Sequence, residues 1–473
     1  MGAQYDLLII GRGAGAFASA IKASELSEGK ARVAMVGTGP LGGTCVNVGC
    51  VPSKYLLEAS HRHFYPQHPT FKGVGAAHPD LDFGKVMLGL KGLVDAFRVA
   101  KYEKVLASYP NVEMIEGKAR FKSPSEVEVV NGRAKVINAK YVIIATGSRP
   151  TAPPIEGLKD TGYQTSDTVW DLDELPRSLA VIGGGAIGLE LGQAFLHFGS
   201  EVTIIEALQR IIAPTEPEIS EALQKKLSDE GMKFYTKARI STIQKANGKK
   251  VLEVVTHKGK SRVEADEILV ATGRAPNTDE LSLERAGVKT DQRGLIKVDA
   301  SMRTSNKRIF AAGDCVSKKL MLETLAAREG VIAATNIMGG RARVDYLSTP
   351  WAVFTSPQIA GVGYTEEEYV KKTRACSCRT LGLDRVAKAE MLNETEGLIK
   401  LIVNPNDGRV VGLHALSPLA TEYVLEGAIA IKHGFTYEDI IDTTHIFPTL
   451  AEGVKLAAQS FTRSIDRMSC CVE

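Results

Sequence analysis

The chain has 473 residues, a length for two to four domains, and 44% apolar side chains supply ample core. A net charge of +3 without a basic block excludes a nucleic-acid surface, and nothing reads as a membrane span: the first apolar run is short, carries Asp6 and breaks at glycines. Seven cysteines without a secretory signal fit a reducing cytoplasm in which any disulfide is catalytic.

In chain order, Tyr5-Asp6-Leu7-Leu8-Ile9-Ile10 reads as a buried parallel strand running into Gly11-Arg12-Gly13-Ala14-Gly15-Ala16 and an Ala-rich helix. This is a Gly-x-Gly-x-x-Ala dinucleotide fingerprint. Gly11 makes the tight turn, Gly13 lets the backbone approach a pyrophosphate, and Ala16 lets the helix pack on the strand, its N-terminus facing the anion. The acidic residue expected on the ribose is missing, because Arg32-Val33-Ala34-Met35-Val36 leads into Gly37-Thr38.

Next come Gly42-Gly43-Thr44-Cys45-Val46-Asn47-Val48-Gly49-Cys50-Val51-Pro52-Ser53-Lys54. Pro52 suits the first turn of a helix, so Cys50 is expected near that helix's positive end, where a thiolate is favoured. Two cysteines so placed read as a redox dithiol. A second fingerprint, Val181-Ile182-Gly183-Gly184-Gly185-Ala186-Ile187-Gly188, follows another apolar strand. Two fingerprints imply two dinucleotides, and the dithiol between them suggests FAD at the first and a nicotinamide coenzyme at the second. In the second site Gly183, Gly185 and Gly188 serve the pyrophosphate turn. Glu206 ends the next strand, where a carboxylate accepts from the 2′-hydroxyl of NADH and repels the 2′-phosphate of NADPH; Gln209 and Arg210 follow, so NADPH stays open.

The wording of the dithiol segment resembles the redox-active disulfide of the pyridine nucleotide–disulfide oxidoreductases, and the resemblance covers essentially the whole chain. It implies an α/β fold of two Rossmann-like domains with an α+β dimerisation domain. The expected division is 1–147 for the FAD domain, 148–272 for the NAD(P) domain, 273–344 for the return to the FAD domain, and 345–473 for the interface domain of a homodimer. Asp314, in Ile309-Phe310-Ala311-Ala312-Gly313-Asp314, matches the aspartate that meets the ribityl chain; Gly43, Thr44 and Lys54 also fall at the flavin. Lys54 and Glu190 match the Lys–Glu pair where hydride arrives, with Cys50 as the flavin-facing sulfur and Cys45 as the outer thiol.

Disulfide reductases of this family keep a catalytic histidine before Pro-Thr, with a glutamate five residues later. Here the segment is His445-Ile446-Phe447-Pro448-Thr449-Leu450-Ala451-Glu452, so Phe447 stands at the histidine's position and cannot move a proton. His445, two residues early, reads as a structural histidine. The end of the chain, Ser469-Cys470-Cys471-Val472-Glu473, offers two adjacent thiols that share a soft metal ion better than they form a strained disulfide. Such a pair resembles the mercuric reductase branch, where the partner subunit's tail hands Hg(II) to the redox pair, and Tyr102 matches a tyrosine beside the metal. The expected metal ligands are then Cys45, Cys50, Cys470 and Cys471. Thr449 departs from that branch, replacing a second metal-side tyrosine. The flavin strand begins at Tyr5, so no N-terminal Cys-x-x-Cys domain is expected and Hg(II) would arrive from solution or small thiols.

The function expected is reduction of Hg(II) to Hg(0) by NADPH or NADH through FAD. The alternatives are a disulfide reductase with a C-terminal dithiol, like the large thioredoxin reductases, or a flavoprotein that binds soft metal without turnover. Cys376 and Cys378 stay open between ordinary packing and a surface thiol site, and Cys315 reads as core.

Overall fold

Apolar runs with no alternation, such as Leu7–Ile10 and Leu179–Ile182, are the pattern of strands covered on both faces, and both lie at the centre of parallel sheets. The computed structural model describes residues 4–318 and 320–467. In the first sheet Tyr5–Ile10 sits between Val33–Gly37 and the long strand Arg133–Ile144, with Val112–Glu116 beyond, all parallel. The outer half of Arg133–Ile144 turns away into an antiparallel meander with Glu126–Asn131 and Lys118–Phe121. Ile309–Ala311 returns to this sheet, pairing parallel with Val142–Ile144, so the chain leaves the first unit and comes back to it.

The intervening stretch builds a parallel sheet of Lys233–Tyr235, Glu201–Ile205, Ser178–Ile182 and Glu267–Val270, backed by a three-stranded antiparallel meander over 239–265. Where the chain crosses between the two units, Ser148–Pro150 pairs antiparallel with Arg274–Pro276. The third unit is an antiparallel five-stranded sheet ordered Trp351–Val353, Gln358–Gly363, Val410–Ser417, Leu398–Val403, Ser377–Gly382. The helix Ala420–His433 lies on it.

Two helix pairings position the chemistry. The helix Ala14–Leu26 packs on Glu323–Ile337 so closely that a Cβ on Gly330 would stand 2.2 Å from the Gly15 carbonyl oxygen. The helix Cys50–Phe64 packs on Ala186–His197, which joins the dithiol segment to the second fingerprint. Among the described residues no helix is long and apolar enough to cross a membrane.

Candidate active site

Both fingerprints take the shape a pyrophosphate requires. Gly11 has φ +139° and Gly183 φ +110°; a Cβ there would stand 2.1 Å from the Ala145 oxygen and 2.5 Å from the Ala271 oxygen. Each following helix, Ala14–Leu26 and Ala186–His197, is N-capped by a glycine, with no capping side chain and no acid in its first turn. Their leading N–H groups and positive ends are left for an anion. Gly43 has φ +61°, and a Cβ on it would be 2.6 Å from the Gly13 Cα, so the dithiol loop and the first phosphate turn meet backbone to backbone. The residues present therefore fit FAD at the first site, where Gly11, Gly13, Ala16, Gly43 and Thr44 gather, and Asp314 Oδ2 is held by the Ser148 hydroxyl at 2.9 Å.

The second site fits a nicotinamide coenzyme. Glu206 stands at the end of Glu201–Ile205 and accepts from the Gly184 N–H at 2.6 Å and the Leu208 N–H at 2.7 Å, which fixes its carboxylate beside the glycine turn. Arg210 bonds instead to the Ala213 carbonyl at 3.2 Å. At the first site, where the ribose acid is missing, Arg12 runs across Gly37 and bonds to the Gly39 carbonyl at 2.7 Å and to Glu116 at 2.5 Å.

Cys45 lies in the short helix Gly43–Asn47, and Cys50 is the first residue of the helix Cys50–Phe64, with Gly49 as N-cap and Pro52 in the first turn. The two thiols hydrogen-bond to each other and titrate as a pair. The Cys45 thiol donates to Cys50, which holds Cys50 below the usual thiol range, with help from the Lys54 ammonium. The same bond, with burial and the Glu323 carboxylate, pushes Cys45 up. The lowering of Cys50 agrees with its place at a helix N-terminus, which favours a thiolate there. Lys54 pairs with Glu190 at 2.6 Å. Glu190 is buried, its other oxygen accepts from the Phe354 N–H at 2.9 Å, and the ammonium sits 4.4 Å from the centre of the Phe354 ring. Each member of the pair is therefore held from two sides.

Tyr102 lies in a π-helical turn, Val99–Glu103, its ring tilted against Phe17 at 4.7 Å between ring centres. Its hydroxyl points at Glu323 at 3.5 Å, and burial, Glu323 and Cys45 push it up. Glu323 is the functional candidate that sequence reasoning missed. It opens the helix Glu323–Ile337, far from either motif in sequence, and its charge acts on Cys45, Cys50 and Tyr102 alike. No local pattern marks it; only the packing of that helix on Ala14–Leu26 brings it to the dithiol.

The structure brings Cys45, Cys50, Lys54, Glu190 and Tyr102 into one neighbourhood. Cys470 and Cys471 lie outside the described residues. His445 is occupied by Glu426 at 3.0 Å and by the Thr443 carbonyl at 2.8 Å. Phe447 is half exposed, and Glu452, which would orient a histidine there, is buried with one carboxylate oxygen lacking a partner among the described residues. Burial raises its pKa. Cys315 is fully buried and bonds weakly to the Ala312 and Ile144 carbonyls.

Residues 5–330 match the pyridine nucleotide-disulphide oxidoreductase family, and residues 349–458 match the dimerisation domain of that family. Similar curated proteins include a mercuric reductase of Lysinibacillus sphaericus, 40% identical over 99% of this chain and 84% of that one. A mercuric reductase of Streptomyces lividans is 40% identical over 99% of this chain and 98% of its own length. A dihydrolipoyl dehydrogenase of Geobacillus stearothermophilus is 36% identical over 96% of both. Among solved structures, the Cu(II) complex of the HOCl-induced flavoprotein disulfide reductase RclA from Escherichia coli superposes with a TM-score of 0.85 at 26% identity, covering 98% of this chain and 100% of that one.

Proposed function

Because the chain belongs to the pyridine nucleotide-disulphide oxidoreductase family, we propose that it reduces Hg(II) to Hg(0) with NAD(P)H, and that it works as a homodimer. The likeness to mercuric reductases along 99% of the chain supports the substrate. The observation that carries the reading is a pair of thiols at a helix N-terminus, Cys45 and Cys50, beside Tyr102 and Glu323, in a chain that has Phe447 where the disulfide reductases it resembles keep a base. Linear coordination by two sulfurs suits a soft dication, whereas exchange with a disulfide substrate needs an acid–base group for the leaving thiol.

Bound FAD supplies the passage of two electrons from the nicotinamide to the dithiol side. The chain's own residues do the rest. Glu206 selects the coenzyme ribose, and the Lys54–Glu190 pair supplies a fixed charge and hydrogen-bonding pattern at the junction of the two sites. Cys50 and Cys45 bind Hg(II) as thiolates, so binding releases the thiol proton of Cys45, against the raising effect of the Glu323 carboxylate. The balance is NAD(P)H + Hg(II) → NAD(P)⁺ + H⁺ + Hg(0). Cys470 and Cys471 of the partner subunit deliver the ion, displacing small thiols that carry it in solution.

The test is Hg(II)-dependent coenzyme oxidation in Cys45→Ser and in Cys470→Ser/Cys471→Ser. The first should abolish metal turnover while coenzyme oxidation by artificial acceptors persists. The second should lose most activity when Hg(II) is held by excess small thiol and less when its ligands are weak. Undiminished turnover of thiol-bound Hg(II) in the tail variant overturns the delivery step, and undiminished turnover in Cys45→Ser overturns the dithiol's role.

A further inference from the structure

Cys376 and Cys378 stand apart from the dithiol, at the outer edge of the third unit's sheet. Cys376 precedes the edge strand Ser377–Gly382 and Cys378 lies within it, so the alternation of a strand puts both on one face. Thr380 follows on that face, and directly opposite it, across the antiparallel pair, is Lys400. The helix Glu366–Thr373 brings Glu366 over the same face. One sulfur from each cysteine and one Glu366 oxygen all lie within 4.8 Å of one another.

The carboxylate is fixed before any ligand arrives. Glu366 Oε2 pairs with the Lys400 ammonium at 2.7 Å, while Oε1 faces the Cys376 sulfur at 3.7 Å. Its backbone N–H donates to Glu216 at 2.7 Å, and a capping box of Thr365 and Glu368 anchors the start of its helix. Lys400 is buried and shared with Glu216 at 2.8 Å and Glu218 at 2.6 Å, so three carboxylates surround one ammonium and the cluster is short of positive charge.

We propose that Cys376, Cys378 and Glu366 form a second metal site, separate from the dithiol, for a thiophilic d¹⁰ cation of the Hg(II), Cd(II) or Cu(I) class. Metal–sulfur bonds of about 2.3 Å, as for zinc, let one ion bridge two sulfurs at this spacing. The carboxylate oxygen completes an S₂O set, oriented by Lys400 as outer-shell partners orient metal ligands. Binding replaces two S–H bonds with two S–metal bonds and releases two protons, with no change of oxidation state. The donor set carries this independently of the reaction proposed above.

The oxidised holoenzyme is titrated with Hg(II) in chloride buffer without coenzyme, so that Cys45 and Cys50 are held in their disulfide, and bound metal is counted after desalting. The intact protein should retain one ion per chain more than Cys376→Ser/Cys378→Ser, and Glu366→Gln should weaken that ion by about tenfold or more. In Cys470→Ser/Cys471→Ser, whose tail cannot take the ion first, one added equivalent should also shield the Cys376 and Cys378 peptides from alkylation, a reading that leaves the proposed site itself unsubstituted. Equal retention by the intact protein and the double variant, or unchanged alkylation at both cysteines, overturns the site. Hg(II) turnover is scored separately, so loss of this site leaves the catalytic reading standing.

Discussion

The asymmetry between two thiols of one pair is the residue-scale basis of the chemistry. Cys50 is lowered because Cys45 donates to it, because it begins a helix and because Lys54 is near; Cys45 is raised by the reciprocal of the first effect, by burial and by Glu323. Removing the donor in Cys45→Ala should therefore raise Cys50 toward an ordinary thiol. The pH dependence of alkylation of the reduced enzyme checks this: the midpoint for Cys50 should move up, and an unchanged midpoint would place the stabilisation elsewhere. Glu323→Gln removes a negative charge that raises both thiols, so both should titrate lower and the acid limb of Hg(II) turnover should shift to lower pH. Glu190→Gln leaves Lys54 without its charged partner and should cost about 2 kcal/mol of stability, read as a lower denaturant midpoint with unchanged slope.

Among the elements, the two strand–turn–helix units, the dithiol segment and the turn after Ile309–Ala311 carry the residues proposed for the cofactors. Gly43 joins the dithiol loop to the first phosphate turn, and any Cβ on it would collide with Gly13; Gly43→Ala should purify with markedly less FAD, measured as the ratio of flavin to protein absorbance. Glu206 is held by two backbone donors at the place proposed for the ribose, and in that role Glu206→Ala should move the kcat/KM ratio toward NADPH; a wild-type enzyme strongly preferring NADPH would mean that Arg210 leaves the Ala213 carbonyl to take the phosphate.

These units were legible in the sequence because their signals are local: a glycine turn between an apolar strand and a helix, and two cysteines before a Pro-bearing helix start. Ile309–Ala311 was legible through its Gly-Asp ending. Glu323 was not, since a single acid at the start of a helix has no spacing to distinguish it from any other, and its proximity to Cys45 is created by helix packing at long range. The Arg12 guanidinium filling the place beside Gly37 was likewise hidden, as the sequence shows only that an acid is missing there. Glu366 joined to Cys376 and Cys378 is a third case, spanning a helix and the strand that follows it.

Across the whole molecule, the third unit decides which reaction the first two can perform. By the sequence pattern Phe447 falls where disulfide reductases of the family keep a base; Ile446 and Phe447 are exposed on the surface of the chain, and Leu425 and Ile429 are exposed on the helix Ala420–His433; a dimer would cover such a face. Without a general base, turnover of lipoamide or glutathione disulfide should fall about two to four orders of magnitude below that of a disulfide reductase with the histidine, and Phe447→His, with the buried Glu452 five residues on, should recover part of the loss. The most direct test of the central claim is anaerobic turnover with NADPH or NADH and Hg(II), measuring mercury vapour released against coenzyme consumed. The account predicts one Hg(0) per coenzyme oxidised, with little consumption when lipoamide, glutathione disulfide or oxidised thioredoxin replaces Hg(II). Rapid disulfide turnover with no mercury vapour would contradict it.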